Sequence, residues 1–250
     1  MSSLDLIEAP SPNFDERRAP PDMIVLHYTG MRTGEEALAR LRDPAAKVSS
    51  HYLVEEDGRV FRLVPEERRA WHAGRSYWQG ETDCNGASVG IEIVNPGHEF
   101  GYRVFPHTQI EALIALLTDV RSRWSVPDAR VIGHSDVAPA RKQDPGELFP
   151  WERLARAGHG LWLEPKPAPG PALKVGDEGP GVFVLQAGLH RLGYEPRPSG
   201  TYDEETATVV TAFQRHWRPT KVDGVADGET RARLMAVLQL ASVETLTGTL

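Results

Sequence analysis

The stretch Glu164-Pro-Lys-Pro-Ala-Pro-Gly-Pro171 limits the architecture of this chain more than any other. Four prolines in eight residues remove four backbone donors and fix four φ angles, so the segment can enter neither a helix nor the interior of a sheet. It reads as a semi-rigid extended linker. The 250 residues suffice for one medium and one small unit. They divide into a unit at 1–163, the linker at 164–171, a second unit at 172–241 and a tail at 242–250. Each unit carries its own apolar pattern, so the two are expected to fold independently.

Before the linker, strands and helices alternate. Met23-Ile-Val-Leu-His-Tyr28 contains a buried strand, Ile24 to His27. Residues 51–64 read as two strands joined through Asp57-Gly58, a dipeptide that suits a type I′ hairpin turn. Ser88 to Val94 is a further strand, and Arg130 to Gly133 a short one that ends at His134. Thr33 to Leu41 has helical character. Thr108 and Glu111 form a T-x-x-E capping box ahead of Leu113, Ile114, Leu117, Val120 and Trp124 at helical spacing. The fold class is α/β: a central mixed β-sheet flanked by helices. After the linker three short helical patterns follow, carrying Leu185 and Leu189, then Val210, Phe213 and Trp217, then Leu234 and Val237. Asp203-Glu-Glu-Thr206 and Asp227-Gly-Glu-Thr230 echo one another, each with an Asp placed to cap a first turn. This part reads as a small three-helix domain.

The net charge of −7 argues against a nucleic-acid partner, which would require a basic face. A single cysteine, Cys84, excludes an internal disulfide and a four-cysteine zinc site. The opening residues show no basic-then-apolar signal, and no long apolar run follows. The expectation is a cytoplasmic monomer without a membrane span; a misassigned start would move it to the periplasm.

His27 closes a strand that otherwise reads as core, and His134 stands in the same relation to its own strand. Asp144 follows ten residues later on a loop flanked by proline. Two imidazoles and a carboxylate suit a Zn2+ whose fourth position is left open, the pattern of a catalytic site. There is no H-E-x-x-H, so the site is not a helix-borne metalloprotease. Glu92, between two isoleucines, is either a solvent-facing strand residue or a carboxylate turned toward the interior, which is costly without a function. Lys142 points the same way as Asp144 if the loop is extended, and is either a surface lysine or a partner for an oxyanion.

These segments resemble a known family. Ile24 to Thr29, Ser50 to Val54, Ala70-Trp-His-Ala-Gly74, Ser88 to Ile93, Gly133 to Pro139 and Arg141-Lys-Gln-Asp-Pro-Gly146 look like successive motifs of the zinc N-acetylmuramoyl-L-alanine amidases, the amidase-2 family. The resemblance spans about Ala19 to Trp162. It implies hydrolysis of the amide between the lactyl group of N-acetylmuramic acid and L-alanine, in peptidoglycan or in muropeptides. It also implies Zn2+ on His27, His134 and Asp144, Glu92 as catalytic carboxylate and Lys142 polarising the scissile carbonyl. The region from Leu173 to about Leu240 resembles the peptidoglycan-binding domain of cell-wall hydrolases, through Val175 to Gly179, Leu192-Gly-Tyr194, Ala212-Phe-Gln214 and Val222-Asp-Gly224.

His72 and Trp71 fall in a motif near the implied cleft and are expected to touch substrate, as is Arg141. Tyr77 and Trp78, in Arg75-Ser-Tyr-Trp-Gln-Gly80, form a rim suited to stacking on sugar rings, or pack locally. His51 is expected to be structural. His98, His107, His159, His190 and His216 carry no pattern. The rival reading is a muropeptide binder of the same fold that does not cut. Such binders lose the carboxylate or thiolate ligand, whereas all five chemical residues are present here.

Overall fold

A computed structural model of the chain describes residues 4–247. The centre is a six-stranded mixed sheet. Its strands are β1 (Leu6–Glu8), β3 (Met23–Tyr28), β4 (Tyr52–Val54), β5 (Val60–Arg62), β7 (Ser88–Ile93) and β8 (Val131–Gly133), in the order β1-β5-β4-β7-β3-β8. Only the hairpin β4–β5 is antiparallel. A small second sheet pairs β2 (Phe14–Glu16) with β6 (Arg68–Ala70). The hairpin turn differs from the expected type I′: Gly58 alone takes a positive φ, +90°, and its N–H closes a four-residue turn on Glu55 O. The extra turn residue spreads the reversal over Glu55 to Gly58, so Asp57 keeps an ordinary backbone.

Strand alternation assigns the two faces. Ile24 and Leu26, with Val89, Ile91 and Ile93, bury against Ile110, Leu113, Leu117 and Val120 of α4 (His107–Arg123). The expected capping box is not formed at the start of that helix. Pro106 precedes it, Thr108 Oγ1 donates to Glu56 O, and Glu111 pairs with Arg153. Thr33 does cap α1 (Gly34–Arg42), accepting from Glu36 N at 3.1 Å.

The C-terminal module consists of α7 (Pro180–Leu192), α8 (Glu204–Trp217) and α9 (Gly228–Thr247). Its internal repeat has a physical basis. Buried Gln186 on α7 accepts from Ser199 N and Gly200 N and donates to Thr201 O and Thr206 Oγ1. Buried Gln214 on α8 accepts from Asp223 N and Gly224 N and donates to Val225 O and Thr230 Oγ1. Each glutamine thus pins the turn that starts the next helix, while Asp203 and Asp227 cap it. Residues assigned to a tail from 242 continue α9 as far as Thr247; 248–250 lie outside the described residues.

The proline run holds no helix or strand and bends at Pro169 and Gly170, the glycine at a φ of +97°. It lies along the module: Ala168 N donates to Gly228 O, and Arg231 donates to Pro169 O. The two units are not separate bodies, as expected from the linker, but share a core. Met23, Val25 and Ile132 from the sheet pack in one cluster with Leu185, Leu189, Val210, Phe213 and Leu234. From the first unit only short segments, through Cys84, Val137 and Ala138, also reach this cluster, and helices of the C-terminal module supply most of the rest. Trp78 sits at the seam, fully buried, with its ring edge on Tyr194 at 5.1 Å between centroids. Gly193 lies against it, and a Cβ there would come within 2.6 Å of the indole. Among the described residues no helix is long and apolar enough to cross a membrane.

Candidate metal centre and catalytic cleft

The parallel register of β3 and β7 sets His27 opposite Glu92. Both leave the sheet on the face away from α4, together with Val25, Ser88 and Gly90. His134 opens the short helix α5 (His134–Val137) directly after β8, so both histidines reach the carboxyl edge of the parallel strands, where open α/β sheets place their sites. Asp144 is carried in by its loop, whose carbonyl accepts from Ser135 N at 2.9 Å. His27 Nδ1, His134 Nδ1 and Asp144 Oδ2 form a triangle with sides of 2.9, 3.0 and 3.1 Å, all three residues buried.

The surrounding hydrogen bonds decide which atoms carry protons. Ser88 Oγ gives its hydrogen to Cys84 O and therefore accepts from His72 Nε2, 3.2 Å away. His72 Nδ1 is then a bare acceptor and takes the Nε2–H of His27 at 3.0 Å. His134 Nε2 donates to Ala73 O at 3.1 Å. His27 and His134 consequently both present unprotonated Nδ1 atoms, and the third corner is a carboxylate oxygen. Three acceptors this close have no hydrogen to share, and a cation satisfies them together. His27, His134 and Asp144 could hold a metal ion, and the donor chemistry fits Zn2+.

Electrostatics agree with this protonation pattern. Burial, then the neighbouring His134, pushes His27 down to about 4. Burial and the His27 ring push His72 well below the ordinary histidine value. Burial opposes ionisation of Asp144, but His134 and His27 outweigh it and hold the carboxyl below its usual range. Glu92 is pushed the other way, well above the ordinary value, by burial and by the Asp144 charge. Its Oε2 is buried and has no hydrogen-bond partner. Lys142 is the cation near enough to act on both Glu92 and His27. Of the two open readings of Glu92, the interior one describes its position.

The expected substrate contacts separate into different roles. His72 is buried behind His27 with both ring nitrogens engaged, so it orients His27 and is not open to substrate. Its ring packs on Gly90, where a Cβ would come within 2.4 Å, which accounts for the glycine in that strand. Trp78 is sealed in the seam described above and cannot stack on a sugar. Trp71 is half-buried, and its indole donates to Asp15 Oδ2 at 2.7 Å. Tyr77 is half-buried, its backbone N–H donating to Val137 O. Arg141 donates to Ala73 O and Arg75 O, and so steadies the carbonyl that orients His134. His51 is structural: Nδ1 accepts from Gly90 N and Nε2 meets Arg68 O.

Two residues near the site carried no readable signal. Asp136 accepts from Gly133 N at 2.8 Å, which braces the start of α5. It also meets Tyr194 and His216 from the C-terminal module. Only the polarity of His216 beside Phe213 and Trp217 on α8 could have marked it.

An imidazole pair and a carboxylate suited to a metal, beside a second carboxylate and a lysine in one cleft, are the working parts of a hydrolase. Comparison with known proteins gives the particular kind. The N-acetylmuramoyl-L-alanine amidase family profile matches residues 17–147, and that of a peptidoglycan binding domain matches 178–234. The chain is 40% identical over 233 residues to the N-acetylmuramoyl-L-alanine amidase AmiD of Escherichia coli (strain K12), covering 87% of this chain and 82% of AmiD. To the 1,6-anhydro-N-acetylmuramyl-L-alanine amidase AmpD of the same strain it is 35% identical over 166 residues, covering 58% of this chain and 87% of AmpD. A solved complex of E. coli AmiD with anhydro-N-acetylmuramic acid-L-Ala-D-gamma-Glu-L-Lys matches with a TM-score of 0.76 at 35% identity, over 91% of this chain and 98% of that one. The chain belongs to the N-acetylmuramoyl-L-alanine amidase family.

Proposed function

We propose that this protein is a zinc-dependent amidase that cuts between N-acetylmuramic acid and L-alanine in muropeptides, with His27, His134 and Asp144 holding the metal. The observation that carries the reading is the triangle of three bare acceptor atoms beside Glu92 and Lys142. When bound, Zn2+ supplies Lewis acidity toward water and the scissile carbonyl at neutral pH. Glu92, ionised, takes a proton from the attacking water as its oxygen adds to the lactyl carbonyl carbon. The Lys142 ammonium faces the oxygen on which negative charge develops. As the C–N bond breaks, Glu92 returns the proton to the departing L-alanine nitrogen, and the lactyl group leaves as a carboxylate. Residues 1–163 supply this chemistry, 164–171 link, and 172–241 bind peptidoglycan.

Metal analysis of the wild type and His134→Ala tests the ligand set. One equivalent of zinc is expected in the first and a large loss in the second; full zinc in the variant would remove His134 from the set. Mass spectrometry of products from soluble anhydro-muropeptides and from insoluble wall tests the reaction. Free muramoyl sugar and an L-alanine amino terminus are expected, and no cleavage of either substrate would overturn the reading.

A further inference from the structure

One cavity is shared between the amidase unit and the C-terminal module. Beside Lys142, a cavity of about 330 Å³ opens between the 139–143 loop and helix α8 of the C-terminal module. Arg141, Lys142 and Gln143 line it from one side and Thr208, Thr211 and Arg215 from the other. Three of these are cations, and no carboxylate lines the cavity. Arg141 is committed to two backbone carbonyls, but Arg215 is not so engaged. Its Nη2 reaches Gln143 Oε1 at 3.3 Å, while its buried Nε has no partner. A guanidinium with an unpartnered donor beside a cation-lined cavity favours a bidentate anion such as a carboxylate.

The cavity adjoins the chemistry: Lys142 and Gln143 in its wall directly precede Asp144 of the buried His27, His134 and Asp144 group. In the L-Ala-D-gamma-Glu-L-Lys stem of the substrate bound to E. coli AmiD, the gamma linkage leaves the glutamate α-carboxylate free. That group stands about one extended residue, roughly 3.5 Å, beyond the alanine. We infer that Arg215, from the C-terminal module, binds the free α-carboxylate of the second stem-peptide residue and makes that module part of the enzyme's substrate specificity. The inference rests on the amidase reading.

The test compares N-acetylmuramoyl-L-Ala-D-Glu with its amide, N-acetylmuramoyl-L-Ala-D-isoglutamine, on the full chain. The wild type is expected to favour the acid by about tenfold or more in kcat/KM, mainly through KM. Arg215→Gln is expected to lose that preference by slowing the acid alone, and Arg215→Lys to restore part of it. Equal losses on both compounds, or no loss on the acid, would overturn the assignment. Binding of the dipeptides L-Ala-D-Glu and L-Ala-D-isoglutamine to the wild type, measured by calorimetry, gives a readout independent of hydrolysis and of any variant's folding. Equal affinities there would equally sink the inference, whereas failure to cleave with the acid preference intact would count against the amidase reading only.

Discussion

His216 Nδ1 donates to Asp136 Oδ2 at 2.7 Å, joining the C-terminal module to the helix that begins with the metal-site residue His134. The same carboxylate accepts from the Tyr194 hydroxyl at 2.9 Å, and Asp136 Oδ2 also holds Gly133 N. The imidazole is fixed between Trp151 and Trp217, whose ring centroids lie 3.6 and 3.7 Å away. Buried hydrogen bonds to an acidic group lose much of their value when only one partner is removed. The module therefore braces the His27, His134 and Asp144 cluster from behind.

The first prediction follows from that brace. A 1–163 fragment exposes Met23, Val25, Trp78 and Ile132 and leaves Asp136 without two of its partners. Loss of several kcal/mol, or about 10 °C or more in Tm, is expected. Zinc affinity, measured by chelator competition, should fall with it, and cleavage of small soluble muropeptides should weaken. A fragment with wild-type Tm and full activity on soluble substrate would show that the shared core is dispensable.

Glu92→Gln and Lys142→Ala should each lower kcat by roughly two orders of magnitude or more. Neither side chain belongs to the acceptor triangle, so metal content should stay near one equivalent in both. Steady-state kinetics with parallel metal analysis checks this. Near-normal turnover in Glu92→Gln would require another base.

His72→Ala deletes the acceptor that fixes the His27 tautomer. Loss of such an outer partner is expected to weaken metal binding by about 10- to 100-fold. Competition against a chelator of known affinity provides the measurement. A variant with unchanged zinc affinity and an altered KM would return His72 to the role of a substrate contact.

Asp227 tests the module on its own. Burial opposes its ionisation, but Thr230 N–H, Arg218 and Lys221 outweigh that and bring the carboxyl down to about 2. A folded-state value below the unfolded one contributes stability that is present above the ordinary carboxylate range and is lost as pH falls from about 4 toward 2. Asp227→Asn should therefore cost about 1–2 kcal/mol at pH 7, and the difference from wild type should shrink on acidification. Urea unfolding of both proteins between pH 7 and pH 3 measures it. A gap that stays constant over that range would mean the charge of Asp227 contributes nothing.

Local order was legible wherever neighbouring residues dictate it. The apolar run ending in His27, the reversal at Asp57-Gly58 though not its type, the helix after Thr33 and the paired Asp203 and Asp227 caps depend on backbone preference and side chains a few residues apart. The convergence of His27, His134 and Asp144 could also be anticipated, because strands that close parallel edges bring their ends together. The Thr108–Glu111 pair misled for the converse reason: Glu56 and Arg153 offered those side chains better partners than the helix start did.

What a side chain faces across the fold was not written in its neighbours. Trp78 and Tyr77 look alike in sequence, yet one is sealed against Gly193 and Tyr194 and the other is half-exposed. His72 became the partner of a ligand only because Gly90 lets its ring lie against β7. Asp136 and His216 are 80 residues apart and share no motif, and only the docking of α8 on α5 gives each its meaning. Periodicity, capping and turn chemistry act over a few residues, so the chain alone determined its strands, its helices and the chemistry it carries. Burial and pairing depend on which surfaces meet, and that was decided when the apolar face beside His27 closed on the C-terminal module.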